Sequence, residues 1–355
     1  MNKIVCITGF GWSGSGAYFD LLREYDDINI ADNKGYDFEF YLLHDADGIY
    51  DLEQKLMIKH NRLESEIAIQ RFEHLINYYI KYLSYEKVFN KLFKKLTSNY
   101  INELIDYEFY GSTGWEYEYP SNVQKCQIAY NKLIQKIFRN RFTKHIFSND
   151  LISPLYIHLK HLIKVSYKPD NFEQKTKKYI ESLIDIINTN KKYPIVFDQI
   201  FPPDCPYLFT KYVENPKTII IRRDPRDTYL LAKCTYSKTT IPIPTNNVND
   251  FIKFYKKIVE ESFIDDSDNF LSLQFEDLIY EYEATKLKVE SFLGIKEHTR
   301  PLTKFIPEVS INNTQLYNKY KGYEDDIKKI EKELPRFLYP FNKYKQSPNN
   351  SLQVF

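Results

Sequence analysis

The 355-residue chain has no uninterrupted apolar stretch near the roughly 18 residues that a membrane helix needs, which excludes a helical span. It has almost no net charge either: 49 basic and 48 acidic residues leave +1. That excludes a general polyanion binder such as a nucleic-acid coat, so any basic site must be local. Cysteine is scarce, and Cys6, Cys126, Cys205 and Cys234 lie far apart with no C-x-x-C pair. This predicts free, mostly buried thiols in a reducing compartment, not disulfides or zinc. No cluster of His and Asp has metal-ligand spacing, and no metal is expected. The N-terminus enters a core strand almost at once, which leaves no room for a signal peptide and predicts a cytoplasmic protein.

Glycine and proline nearly vanish from the middle of the chain. Between residues 49 and 190 the only glycines are Gly111 and Gly114, and the only prolines Pro120, Pro154 and Pro169. Ile69, Phe72, Ile76, Tyr79, Ile80 and Leu83 form a one-sided helical stripe there, with weaker stripes over 128–138 and 179–187. Residues 49–190 therefore read as a mostly helical insertion or subdomain. Around it, 1–48 and 191–343 read as an α/β core, and 344–355 as a frayed polar tail. Of the seven histidines, five fall between 60 and 161, mostly in helical patterns, and read as surface or core residues. The 31 tyrosines could stack on carbohydrate, but an AT-rich coding bias explains them as well.

What the chain does have is concentrated at its ends. Four of its ten glycines and two serines fall in Gly9–Gly16, directly after the apolar run Ile4-Val-Cys-Ile-Thr8 and before a helical pattern over 18–25. A glycine-rich turn between a buried strand and a helix start presents free N–H groups and the positive helix end to an anion. A Walker loop would carry Lys-Ser/Thr after its last glycine; here Gly14 is followed by Ser15-Gly16. A dinucleotide fingerprint fits Gly9-x-Gly11-x-x-Gly14, with Asp32 available for a ribose, and is weak by itself.

A second strand, Lys217-Thr-Ile-Ile-Ile-Arg222, ends in Arg222-Arg-Asp-Pro-Arg-Asp227. Asp224 is a plausible helix cap there, and Pro225 sits at the first helical position. Three arginines within five residues at a strand end favour phosphate contact over an Arg–Asp capping network. A third strand over 269–275 leads into Glu276-Asp-Leu278 and a helix ending Phe292-Leu-Gly294, and 193–198 is a shorter strand candidate. Helical patterns follow over 207–213, 225–233 and 280–293. Apolar strands alternating with helices predict a parallel sheet covered on both faces.

Taken in order, these segments resemble the sulfotransferase family that uses 3′-phosphoadenosine 5′-phosphosulfate (PAPS). The likeness covers about residues 1–40 and 194–340. In that family a (Lys/Arg)-Ser-Gly-Thr-Thr loop binds the 5′-phosphosulfate, and Ser13-Gly-Ser-Gly16 stands in its place. Arg223-Asp-Pro-Arg-Asp227 matches the family's 3′-phosphate strand end, and Phe275-Glu-Asp-Leu278 with Phe292-Leu-Gly294 matches its third segment. The implied fold is an α/β, P-loop-like three-layer core with a central parallel sheet and a large, mostly helical insertion. The implied nucleotide contacts are Gly11, Trp12, Ser13, Gly14, Ser15, Gly16, Ala17, Arg223, Arg226 and the basic segment Lys321-Gly322. The implied activity moves a sulfuryl group from PAPS to a hydroxyl or amine, with a saccharide as favoured acceptor and adenosine 3′,5′-bisphosphate as product.

Two positions depart from the family. Its loop cation falls at Trp12, and its second 3′-phosphate ligand, a serine, falls at Leu231. Lys34, Lys319 and Lys321 are candidates to replace the cation. Glu39 is the favoured general base, with Asp37, His44 and Asp198 as alternatives. The competing readings are a P-loop-type nucleotide kinase, against which the missing Lys-Ser/Thr argues, and a non-catalytic nucleotide-binding protein on the same fold.

Overall fold

The computed structural model describes residues 3–33, 36–112, 120–141, 157, 159–188, 190–235, 243–296 and 298–349. The chain divides into two compact units, 1–45 with 177–355, and 46–176. The C-terminal division falls inside the helix Phe172–Ile187, so residues 177–190 go with the first unit and not with the expected insertion.

The first unit is α/β, built on a parallel five-stranded sheet. The strands in chain order are β1 (Ile4–Gly9), β2 (Asn29–Ile30), short β3 (Asp32–Asn33) and β4 (Tyr36–Asp37), then, beyond β5 (Tyr107–Gly111) and β6 (His161–Val165) of the other unit, β7 (Ile195–Asp198), β8 (Lys217–Arg222) and β9 (Phe270–Gln274). The main sheet runs β2-β7-β1-β8-β9, while β3 and β4 pair antiparallel as a separate ladder. Every residue of β1 and β7 is buried, as in strands covered on both faces. The register sets Ile7 beside Asp198, Gly9 beside Ile221, and Arg222 beside Gln274. One edge of the sheet therefore collects the loop after β1, Asp198, both arginines and Phe275. Open α/β sheets bind ligands at this carboxyl edge.

Helix α1 (Ser15–Leu22) buries Tyr18, Phe19, Leu21 and Leu22 in a cluster with Val5, Ile7, Ile219, Ile221, Leu271 and Leu273. Each such side chain contributes roughly 1.5–3 kcal/mol. The Tyr18 hydroxyl also donates to the Gln274 carbonyl at 2.7 Å, tying α1 to the end of β9.

Elements expected over 193–198, 217–222 and 269–275 form as strands, each trimmed by at most two residues at an end. Over 207–213 only two 3₁₀ turns form, Pro206–Leu208 and Thr210–Tyr212. The helix after β8 changes to a π turn at Leu231–Thr235. The frayed tail is corrected up to residue 349. Tyr344 donates to Glu281 at 2.5 Å and stacks on Tyr339, and the Asn349 N–H donates to Asn312 at 2.8 Å.

The second unit is largely helical. Asn61 caps the helix Arg62–Tyr82 by accepting from the Glu64 N–H, and the helix buries Ile69, Phe72, Ile76 and Tyr79, the stripe seen in the sequence. Tyr79, Tyr85, Phe89 and Phe93 stack into one aromatic cluster. The unit also holds an antiparallel pair, β5 (Tyr107–Gly111) with β6 (His161–Val165), which helical periodicity did not foretell. No described helix is long and apolar enough to cross a membrane.

Candidate functional site: an anion cradle at the sheet edge

After Gly9 the chain turns through Gly11, Trp12 and Gly14, all with positive φ (77°, 52° and 84°), before α1 begins. Glycine is required at Gly14, where a Cβ would sit 2.4 Å from the Phe275 ring. Gly14 is also the N-cap of α1 and offers no capping side chain, so the first N–H groups of the helix meet no side-chain acceptor. Trp12 is partly buried against the cluster around Tyr229 and Leu231. Its side chain thus packs as an apolar anchor, and its carbonyl accepts from Arg223.

Arg223, only 2% exposed, follows β8. It donates to the Trp12 carbonyl at 3.1 Å and to the Asn313 carbonyl, with its guanidinium 4.7 Å above the centre of the Phe275 ring. It borders two cavities. The first, of about 680 Å³, is lined by Gly9 to Gly16, Arg223 and Leu231 and by Glu39, Tyr41, Asp198, Gln199 and Asp204. The second, of about 650 Å³, is lined by Gly14, Gly16, Ala17, Arg223 and Phe275, and by the segment from Lys304 to Asn313.

Glu39 reaches the first cavity because its backbone bridges to Asp198, and the Phe40 N–H donates to the Asp198 carbonyl at 3.1 Å. The Tyr41 phenol is pushed well above its usual range by burial, then by its hydrogen bond to Glu39 and the charges of Glu39 and Asp198. It stays a neutral donor that steadies the Glu39 carboxylate. Asp198 is 8% exposed at the end of β7. The structure thus brings Glu39, Asp198 and Gly11 to Gly16 around one cavity with Arg223, and puts Ala17 on the second.

Other expected residues lie elsewhere. His44 does not line the cavity. Burial lowers its pKa, its Nε2 donates to the Gln199 carbonyl at 2.7 Å, and its ring packs edge-on to Tyr41 and Phe209. It buttresses Gln199, a corner held at φ 51°. Arg226 is likewise outside both cavities. Its fork is bound to Asp224 at 3.0 and 2.7 Å and to Glu331 at 2.9 Å, over the Tyr317 ring. Arg226 thus belongs to an Arg–Asp capping network at the start of the helix after β8, in place of the phosphate contact expected of it. Lys321 and Gly322 are exposed and line neither cavity. Lys319 lines neither as well. Lys34 and the side chain of Asp37 lie outside the described residues.

Sequence reasoning missed Asp204 and Lys304. No motif marks Lys304, because a buried carboxylate in α1's flank places it. Burial raises the Glu24 pKa, but the N–H groups of Lys304 and Phe305 and the His298 side chain together hold it below its usual range. Those contacts, at 2.7, 2.9 and 2.6 Å, fold residues 298–305 against Glu24 and bring Lys304 to the second cavity. No described group of His, Cys, Asp and Glu has the geometry of a metal site.

The two loop glycines give opposite expectations. Gly14→Ala adds a Cβ at φ 84° against the Phe275 ring, and should cost on the order of 1–3 kcal/mol and disorder the loop. Gly16→Ala meets nothing within 4 Å, and should leave stability unchanged or raise it by about 0.5 kcal/mol. It should nonetheless weaken anion binding, because the methyl group stands at the helix start on the cavity. Thermal unfolding beside calorimetry with adenosine 3′,5′-bisphosphate separates the two; equal loss of melting temperature in both variants would contradict this account.

The first unit is thus an α/β unit whose parallel sheet carries an arginine-braced, glycine-rich loop that lines one cavity together with two carboxylates. No protein-family model matches the chain, and no curated protein matches it. Among solved structures it is similar to the sulfotransferase STF9 from Mycobacterium avium, with 9% sequence identity and a TM-score of 0.36 over 98% of this chain and 78% of that one.

Proposed function

We propose that this protein transfers a sulfuryl group from PAPS to a hydroxyl of an acceptor, a saccharide being the favoured class. One observation carries the reading. A single cavity is lined by the glycine loop, by the uncapped start of α1, by Arg223 and by the carboxylates Glu39 and Asp198. The residues fit a phosphosulfate. The loop has no Cβ at Gly11, Gly14 and Gly16 to obstruct approach, and Arg223 presents a planar fork of donors. When bound, PAPS supplies a sulfuryl group already bonded to a phosphate that can leave. Arg223 and the N–H groups of Ser15 and Gly16 then stabilise charge building on that phosphate. Glu39 takes the proton from the acceptor hydroxyl as its oxygen bonds to sulfur and the sulfur–phosphate oxygen bond breaks. Asp204 and Gln199 supply further polar contacts for a hydroxyl-rich acceptor.

The test is calorimetric binding of adenosine 3′,5′-bisphosphate, followed by label transfer from PAPS to a panel of acceptors. Glu39→Gln should lower kcat by roughly 10²–10⁴-fold while leaving bisphosphate affinity within threefold. Absence of bisphosphate binding in the wild-type protein would overturn the reading. Trp12 and Leu231 support a second one, since they put apolar side chains where a cation and a hydroxyl would serve the nucleotide. Binding without turnover on any acceptor would favour that non-catalytic protein.

A further inference from the structure

Arg222, beside Arg223, presents a different problem. It is 6% exposed, and its guanidinium lies 4.4 Å from the centre of the Phe263 ring. Its Nε and Nη2 atoms are buried and have no hydrogen-bond partner among the described residues. The carboxylate whose charge bears on it, Asp266, accepts from the Ser272 N–H with its Oδ1. A buried guanidinium with two empty donors is costly, and such groups in folded proteins have a reason. Burial also lowers the Arg222 pKa, as expected for a cation short of acceptors.

The surroundings supply the reason. Arg222 lines a narrow cleft with Gly11 and Ser13 of the loop, Arg223, Thr228 and Tyr255. Its volume is about 10 Å³, room for one oxygen-sized atom. The cleft and the first cavity share Phe10, Gly11, Ser13, Arg223 and Phe254 in their linings.

We infer that Arg222 is the cation serving the anion held by the loop, in place of the basic side chain absent at Trp12, with Nε and Nη2 donating to the single oxygen of a phosphate- or sulfate-type group that enters the cleft. This rests on the proposed nucleotide reading for the identity of the anion, but not for its charge. Arg222 and Arg223 would then grip the group from two sides, Arg223 already braced by the Trp12 carbonyl and Arg222 by the Phe263 ring.

The decisive measurement follows the arginine Nε–H resonances of the full chain by NMR, with the Arg222 signal assigned through Arg222→Lys. Inorganic phosphate, sulfate and adenosine 3′,5′-bisphosphate are titrated separately. The expected result is a saturable shift of the Arg222 signal, with Arg222→Met binding the bisphosphate 10- to 100-fold more weakly and Arg222→Lys recovering part of the loss. Because Met removes an unpartnered buried charge, the Met variant should melt at or above the wild-type temperature. A shift with inorganic phosphate but no binding of the bisphosphate would sink the nucleotide reading and leave this inference standing. A silent Arg222 signal with all three anions overturns it, as does a Met variant that binds normally. A Met variant that fails to fold leaves the wild-type titration to decide.

Discussion

Arg223→Gln is expected to weaken adenosine 3′,5′-bisphosphate binding by at least about 100-fold, near 3 kcal/mol, since a charge-assisted fork contributes several times a neutral hydrogen bond. Calorimetry well below the melting temperature reads this directly. Arg223→Lys should fall between, keeping the charge and losing the planar fork. Arg223→Gln should also lower stability by roughly 1–3 kcal/mol, because its shorter amide cannot serve both the Trp12 and the Asn313 carbonyls. Binding within threefold of wild type would remove Arg223 from the site.

The second large effect concerns the carboxylates beneath that arginine. Asp224, Asp227 and Glu276 are all fully buried. Asp224 accepts from the Arg226 fork and the Tyr339 N–H, and Asp227 accepts from the Gln315 and Leu316 N–H groups. Glu276 accepts only from the Asp224 N–H, and its Oε2 has no partner among the described residues. Burial and then the Asp224 charge, opposed by Arg223, push Glu276 up to about 8. The same causes push Asp227 up to about 7.

The folded protein therefore holds protons that the unfolded chain has lost, and by linkage stability falls as pH rises. For Glu276 the contribution is complete below its ordinary value of 4.5 and gone above about 8. Its total is on the order of 3–5 kcal/mol. Melting temperature should thus decline from pH 5 to pH 8 and level off above. Glu276→Gln, which keeps the carbonyl acceptor for Asp224, should flatten much of that decline and melt higher than wild type at pH 9. A wild-type melting temperature that is flat or rising over this range would contradict the assignment.

The sheet was legible in the sequence because its strands are apolar on both faces and end in turn-forming residues. Lys217–Arg222 forms over the expected span for that reason. The loop was legible from its glycines, and Arg223 from its place at a strand end. Arg226 was misplaced because spacing puts both arginines beside Asp224, and only packing shows that Asp224 and Glu331 claim one of them. The β5–β6 pair escaped notice because its ladder joins segments about fifty residues apart, a separation that no local pattern reports. Lys304 escaped because Glu24, some 280 residues earlier, positions it.

Arg223 borders both large cavities with a single guanidinium. Two ligands, one in each, would therefore draw on one set of donors. Their affinities are linked through that side chain, and whatever factor the first ligand imposes on the second, the second imposes on the first. Order of addition then becomes a property of the molecule: each cavity offers a different partner before and after the other is filled.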